Sequence, residues 1–258
     1  MRSKQSKWLW AAAIFVYGFL YVPLIIVVAY SFNDSKLNAE WVGFTFKWYS
    51  LLMHNEQLLV AARNSLLIAL VTSFFATVLG TLAGLAMHKY KLRLLPILVL
   101  TPIAIPEILM GVALLIFFVM LNMTLGLVSV VLSHIAFCIG FVAIVVRSRL
   151  QGMDDSLVEA ARDLGATPVQ AFRAITMPLI MPGIIAGALM AFTLSIDDFV
   201  ITFFTAGAGA STLPLQIYSM IRIAVTPEVN AISTLLMLLT LGLILLASKV
   251  APSAIRAS

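Results

Sequence analysis

Three carboxylates, Glu107, Asp197 and Asp198, lie within stretches of sequence that are otherwise almost wholly apolar. A charge in such surroundings is costly, and the tasks open to a carboxylate there are to hold a cation or to relay a proton. No other reactive constellation accompanies them. Cys138 is the only cysteine, which removes disulfide and zinc-cluster chemistry, and it reads as a small buried apolar residue. His54, His88 and His134 are scattered, without the H-E-x-x-H spacing of a metal site, and take structural or interfacial roles. No G-x-x-x-x-G-K-[ST] phosphate loop occurs, so the chain cannot bind ATP in that manner.

The elements that must position these acids follow from composition. The 258 residues are 62% hydrophobic with a mean hydropathy of +1.08, whereas a soluble domain is about half apolar. A hydrocarbon core of about 30 Å takes about 20 helical residues to cross. Six apolar runs of that order occur, at about 8–30, 58–87, 95–121, 125–146, 179–204 and 229–250. Lipid offers no partner for an unpaired peptide group, and the period-two pattern of barrel strands is missing. The expected fold is therefore all-α and polytopic, six transmembrane helices in a single membrane domain over residues 1–258. The first run is too long for a signal-peptide core and reads as a retained span.

Basic residues set the orientation. Arg2, Lys4 and Lys7 precede the first run, Lys89, Lys91 and Arg93 follow the second, Arg147, Arg149, Arg162 and Arg173 follow the fourth, and Lys249 and Arg256 lie at the end of the sixth or beyond it. The opposite side holds only Lys36, Lys47, Arg63 and Arg222. Both termini are thus expected in the cytoplasm. The net charge of +5 expresses that topology and gives no case for nucleic-acid binding. Trp41, Trp48 and Tyr49, in the outer segment 31–57, read as an interfacial aromatic belt.

Within the runs, Gly80-x-x-x-Gly84 and Gly183-x-x-x-Gly187 permit close helix approach. Pro102 and Pro106 interrupt the third run, as a kink or as a broken helix. Asp197 and Asp198 are about 100° apart around a helix and cannot share one face. On helical spacing, Ser195, Asp198, Thr202 and Thr205 form one stripe and Asp197 lies with Thr193 and Leu194. Residues 213–222 read as a short amphipathic outer helix, with the Tyr218 ring open to a cation–π contact and Arg222 to a gating or docking role, while interfacial anchoring explains both equally well.

The most polar stretch is "DDSLVEAARDLGATPVQAFRAITMP", inside the loop 147–178. Ser156 and Glu159 predict a capping box, Leu157, Ala160, Ala161 and Leu164 an apolar face, and Gly165 a left-handed helix end. Thr167, Pro168 and Gln170 predict a second capped helix running on to Pro178. Ordinary connections between spans need no such stiffness.

Glu159-Ala160-Ala161, three residues, Gly165, nine residues, Ile175-x-Met177-Pro178 resembles the E-A-A-x3-G-x9-I-x-L-P signature of permease subunits of binding-protein-dependent ABC importers, with Met177 in place of Leu. The stretches "VAYSFNDSKL", "FKWYSLL", "SHIAFC", "FTLSIDD", "TLPLQIYSMIR" and "PEVNA" are similar to the smaller permease subunits of spermidine/putrescine importers. The resemblance implies a type I importer (MetI-like) permease fold with its core at about 60–250, in a bacterial inner membrane. It implies that Glu159, Ala160, Ala161, Gly165, Ile175 and Pro178 belong to a coupling element docking on a cytoplasmic ATPase, with Gly165 where the two short helices meet at close quarters. The implied partners are a second, non-identical permease, two ATPase subunits that bind the ATP and Mg, and an external polyamine-binding protein; this chain needs no cofactor or metal of its own. Asp198, Ser195 and Thr202 are then expected to face the translocation path, with Glu107 and Tyr218 as further contacts and Asp197 capping or pairing within the subunit. An importer for another small cation, a proton- or cation-coupled carrier using the three acids as a relay, and an intramembrane enzyme are the competing readings.

Overall fold

Apolar runs whose peptide groups have no external partner close their hydrogen bonds internally, and the chain is accordingly a succession of helices. The computed structural model describes residues 7–35, 40–90, 93–154 and 156–250; Arg2, Lys4, Lys36, Lys91 and Arg256 lie outside the described residues. In chain order the helices are α1 (Lys7–Tyr30), α2 (Lys47–Leu52), α3 (Glu56–Lys89), α4 (Leu94–Ala104), α5 (Glu107–Met120), α6 (Leu127–Gln151), α7 (Ser156–Asp163), α8 (Pro168–Ala171), α9 (Met177–Ile196), α10 (Val200–Thr205), α11 (Leu213–Ile223) and α12 (Pro227–Val250). A π-helical turn, Phe172–Thr176, joins α8 to α9. In it the Met177 N–H bonds the Phe172 carbonyl, five residues back, a local unwinding just before Pro178, which has no amide to donate.

Among the described residues, four helical stretches are long and apolar enough to cross a membrane: Trp8–Tyr30, Glu56–Lys89, Leu127–Gln151 and Pro168–Ile196. The third predicted run is not one helix. α4 and α5 meet at 108°, with Ile105 extended at φ −82°, ψ 132°. Pro106 excludes the helical region for the residue before it, so the chain breaks there, whereas Pro102 stays inside α4. The fifth predicted run also divides: α9 stops at Ile196 and α10 starts at Val200. The sixth coincides with α12, of which Pro227–Leu243 is a shorter apolar helix.

The contacts divide the chain into two compact units, residues 1–59 with 216–239, and residues 60–215 with 240–258. In the larger unit α6 is the hub. Within a bilayer, association of helices rests on packing more than on expulsion of water, so small residues decide who approaches whom. A Cβ at Gly80 would fall 2.6 Å from Val142 Cβ, and one at Gly84 3.0 Å from the Ala143 carbonyl, so both predicted small-residue pairs serve α6: Gly183 and Gly187 of α9 sit on Arg149 and Val142. Gly140 in turn receives α4, a Cβ there lying 2.8 Å from the Val99 carbonyl. Phe137, Val142, Val146 and Leu150 of α6 pack with Met110, Ile180 and Ile201 as the core.

In the smaller unit the chain after α1 folds on itself around buried Asn33. Its side chain donates to the Glu40 carbonyl (2.8 Å) and accepts from the Val42 N–H (2.9 Å), while its carbonyl accepts from Trp48 Nε1 (2.7 Å). Phe32 stacks on Phe44 with ring centroids 5.1 Å apart. Trp48 is therefore buried rather than part of an interfacial belt, and of the predicted pair of tryptophans only Trp41, 51% exposed, is open.

Candidate functional site

Both helix breaks in the larger unit carry an acid. Glu107 is the first residue of α5, directly after Pro106, where free N–H groups and the helix dipole favour a negative charge. Asp197 closes α9 at φ −102°, ψ 0° and is exposed. The two breaks are neighbours because α5 and α10 pack closely: a Cβ at Gly111 would lie 2.6 Å from the Phe204 ring and 3.5 Å from Ile201 Cα. The charges of Asp198 and Glu107 both act on Asp197. Glu107 and the consecutive pair Asp197 and Asp198, ninety residues apart in sequence, thus lie on neighbouring breaks.

Asp198 differs from its two companions. Its side chain is only 6% exposed, and its Oδ1 accepts from the Thr202 N–H (2.8 Å) and hydroxyl (2.9 Å) at the start of α10. His134 of α6, 2% exposed, brings Nε2 to 3.2 Å from the same oxygen and 3.0 Å from Thr202 Oγ1, and Nδ1 to 2.8 Å from Ser195 Oγ. Because the Thr202 hydroxyl already donates to Asp198, the hydrogen on this side of the ring belongs to Nε2. Below this knot Ser129 Oγ reaches the Thr205 carbonyl at 2.7 Å. Both ring nitrogens of His134, the Ser195 and Thr202 hydroxyls and Asp198 Oδ1 are all paired, the condition under which buried polar groups stabilise rather than cost. Ser195, His134 and Asp198 have the composition of a hydrolase triad, but Ser195 is 4% exposed, which leaves no room for an acyl substrate at its hydroxyl.

The predicted stripe of Ser195, Asp198, Thr202 and Thr205 does exist, but it faces α6 inside the subunit. The reason is His134, whose imidazole recruits the stripe. The exposure of the adjacent acids is thus the reverse of that expected: Asp198 pairs internally, while Asp197, at the cap position of α9, is exposed. His134 is the site residue that sequence reasoning passed over. It lies in the fourth apolar run, where an ionisable side chain carries the same signal as the acids. Tyr218 lies on α11 in the smaller unit, 46% exposed.

The motif in loop 147–178 folds largely as its residues predict. α7 starts at Ser156, whose N–H bonds Asp154 Oδ1 at 3.0 Å, so Asp154 rather than Ser156 caps it. Bonds from both the Ser156 side chain and backbone hold the Asp154 carboxyl below its ordinary range. At the other end Gly165 has φ +89°. Its N–H bonds the Arg162 carbonyl (3.0 Å) and the Ala166 N–H bonds the Ala161 carbonyl (3.0 Å), the two bonds of a Schellman motif. Thr167 and Gln170 cap α8 reciprocally at 3.3 and 2.8 Å. The expected close meeting at Gly165 is absent: a Cβ there would find nothing within 4 Å, so the glycine is required for its left-handed backbone. Glu159, Arg162, Pro168 and Phe172 line a cavity of about 580 Å³ shared with His88 and Lys89 of α3. Ile175 lies in the π turn and Pro178 in the first turn of α9. Glu159 and Ala160 are exposed, Ala161 half-buried, and the apolar Leu164 is 90% exposed and Leu157 48%.

Residues 76–252 match the family described as the binding-protein-dependent transport system inner membrane component. The chain belongs to this family. Its members include relatives at high similarity: the spermidine/putrescine transport system permease protein PotC of Escherichia coli strain K12 is 43% identical over 239 residues, covering 92% of this chain and 90% of that protein. The putrescine transport system permease protein PotI of the same strain is 40% identical over 243 residues, covering 90% and 86%. Among solved structures, a chain of a bacterial ABC transporter involved in the import of the acidic polysaccharide alginate shares the fold, with a TM-score of 0.74 over 95% of this chain and 96% of that one at 19% identity. This family member is thus a helical, multi-pass inner-membrane component whose relatives are permease subunits.

Proposed function

We propose that the chain is one of two permease subunits of an ATP-driven importer of polyamines, spermidine and putrescine, in a bacterial cytoplasmic membrane. The observation that carries this reading is the pair of exposed carboxylates, Glu107 and Asp197, set at two adjacent helix breaks. Broken helices within a membrane expose backbone and charge where a solute passes. A carboxylate and an ammonium about 4 Å apart attract by about 4 kcal/mol at an effective dielectric constant near 20, against about 0.5–2 kcal/mol for a cation–π contact. The acids therefore hold the substrate; Tyr218, in the smaller unit, is a cation–π contact proposed separately from them. Polyamines are named in relatives that are 43% and 40% identical, and their spaced ammonium groups suit separated carboxylates.

The energy enters elsewhere. α7 presents Leu157 and Leu164 outward beside Glu159 and Ala160 on a rigid Gly165 turn, a surface suited to docking on a cytoplasmic ATPase that binds the ATP and Mg. The whole chain acts as one membrane domain with its core at about 60–250, crossing the bilayer six times with both termini in the cytoplasm. A second, non-identical permease completes the pathway, and an external binding protein delivers the substrate. No nucleic acid, cofactor or metal takes part in this chain.

The deciding experiment is uptake of labelled spermidine and putrescine into vesicles holding the complete complex, with and without ATP. ATP-dependent uptake that drops in Glu107→Gln is the expected result. ATP-dependent uptake of another solute, with neither polyamine carried, overturns the substrate assignment.

A further inference from the structure

We propose that His134 is a positioning residue for the transport site: by holding Asp198 inside the subunit it fixes the α9–α10 break and turns Asp197 outward. The inference rests on the reading of Asp197 and Glu107 as the acids that meet the cation. Two consecutive carboxylates repel each other, and on a break between helices either could be the outward one. The choice is made by an element remote in sequence. His134 reaches across from α6 and touches three side chains that bracket the break: Ser195 before it, Asp198 within it and Thr202 after it, at 2.8, 3.2 and 3.0 Å. α6 is a firm base for this reach, since glycines of α3 and α9 pack directly on Val142, two turns beyond His134.

Nothing else on α6 can replace the imidazole. The next turn carries Cys138, a weak donor whose thiol is directed at the Ala191 carbonyl at 3.8 Å. Ser133 donates to the Ser129 carbonyl of its own helix. Without His134, Asp198 keeps only the two donors of Thr202 in an otherwise apolar wall. A buried charge that loses its partner seeks another, so Asp198 swings outward and carries the 197–199 segment with it.

The test uses the complete complex in membranes, with Asp197→Cys as a reporter of exposure. The reagent is a positively charged methanethiosulfonate, and the control is the chain with Asp197 intact, whose Cys138 is buried. Labelling of Cys at 197 is expected to change by about tenfold or more when His134→Ala is added, and to return towards the starting rate in His134→Ala/Asp198→Asn, because the stranded charge is then gone. His134→Gln, which retains an amide donor, keeps the complex assembled and labels at an intermediate rate. Unchanged labelling in both His134 variants overturns the proposal. So does a failure of Asp198→Asn to restore labelling in the His134→Ala chain recovered at normal yield. Absence of polyamine uptake by the wild type, with the labelling pattern kept, removes the substrate assignment and supports the positioning role.

Discussion

At the scale of residues, the reversed exposure of Asp197 and Asp198 makes opposite predictions for two neighbouring positions. Asp197→Ala lowers polyamine uptake without loss of assembled complex, since its side chain is exposed. Asp198→Ala strands the Thr202 donors and the His134 Nε2 hydrogen in a buried knot, and each buried group left unpaired costs about 1–3 kcal/mol. A lower thermal midpoint for purified Asp198→Ala complex, beside a normal midpoint for Asp197→Ala, checks both. Asp154 provides a pH test outside the membrane. Its carboxyl titrates below the ordinary 3.8 because Ser156 bonds its ionised form. A depressed pKa means a contribution present above 3.8 and lost as pH falls through the folded-state value. Protection factors of the α7 amides, corrected for the intrinsic exchange rate, should therefore fall in the wild type on acidification below about pH 4, and Asp154→Asn should abolish that step. The three acids were legible in the sequence because charge in an apolar run stands out; His134 was given only a general structural or interfacial role, because its partners Ser195, Asp198 and Thr202 lie on another helix pair far along the chain.

At the scale of elements, local signals and tertiary ones separate cleanly. The caps at Thr167 and Gly165 depend on residues within one turn, and the sequence motif predicts both. The break after Ile196 contains neither proline nor glycine; it is made by His134 from another helix, so no local pattern announces it. Pro106 announced an interruption but not its 108° angle, which depends on the packing of α4 under Gly140 and α5 under α10. The empty space around Gly165 leads to a prediction that distinguishes conformation from contact. An L-residue at φ +89° costs roughly 1–2 kcal/mol, least for Asn. Gly165→Asn should therefore retain ATPase co-purification and uptake, whereas Gly165→Val should lose both. Equal loss in the two variants would mean that a partner surface, rather than the backbone, demands the glycine.

At the scale of the whole molecule, the 108° bend between α4 and α5 bears on topology. If the pair turns back within the membrane, the chain crosses five times and its two ends lie on opposite sides. If the pair crosses, there are six crossings and both ends share a side. Basic residues weigh heavily here, because Arg147 and Arg149 lie in the last turns of α6 and Arg162 and Arg173 follow it. With the first terminus inside, a crossing pair puts these four arginines in the cytoplasm, and a re-entrant pair puts them outside, against the positive-inside tendency. It would also place α7, with its exposed Leu164, away from any cytoplasmic ATPase. The crossing arrangement is thus the one in which charge, coupling and termini agree. Asp163→Cys, at the exposed end of α7, should react with a membrane-impermeant maleimide in inside-out vesicles and resist it in right-side-out ones. The reverse pattern would make α4–α5 a re-entrant pair, place α7 outside, and leave the acids at its tip to be reconsidered as the relay of an ion-coupled carrier.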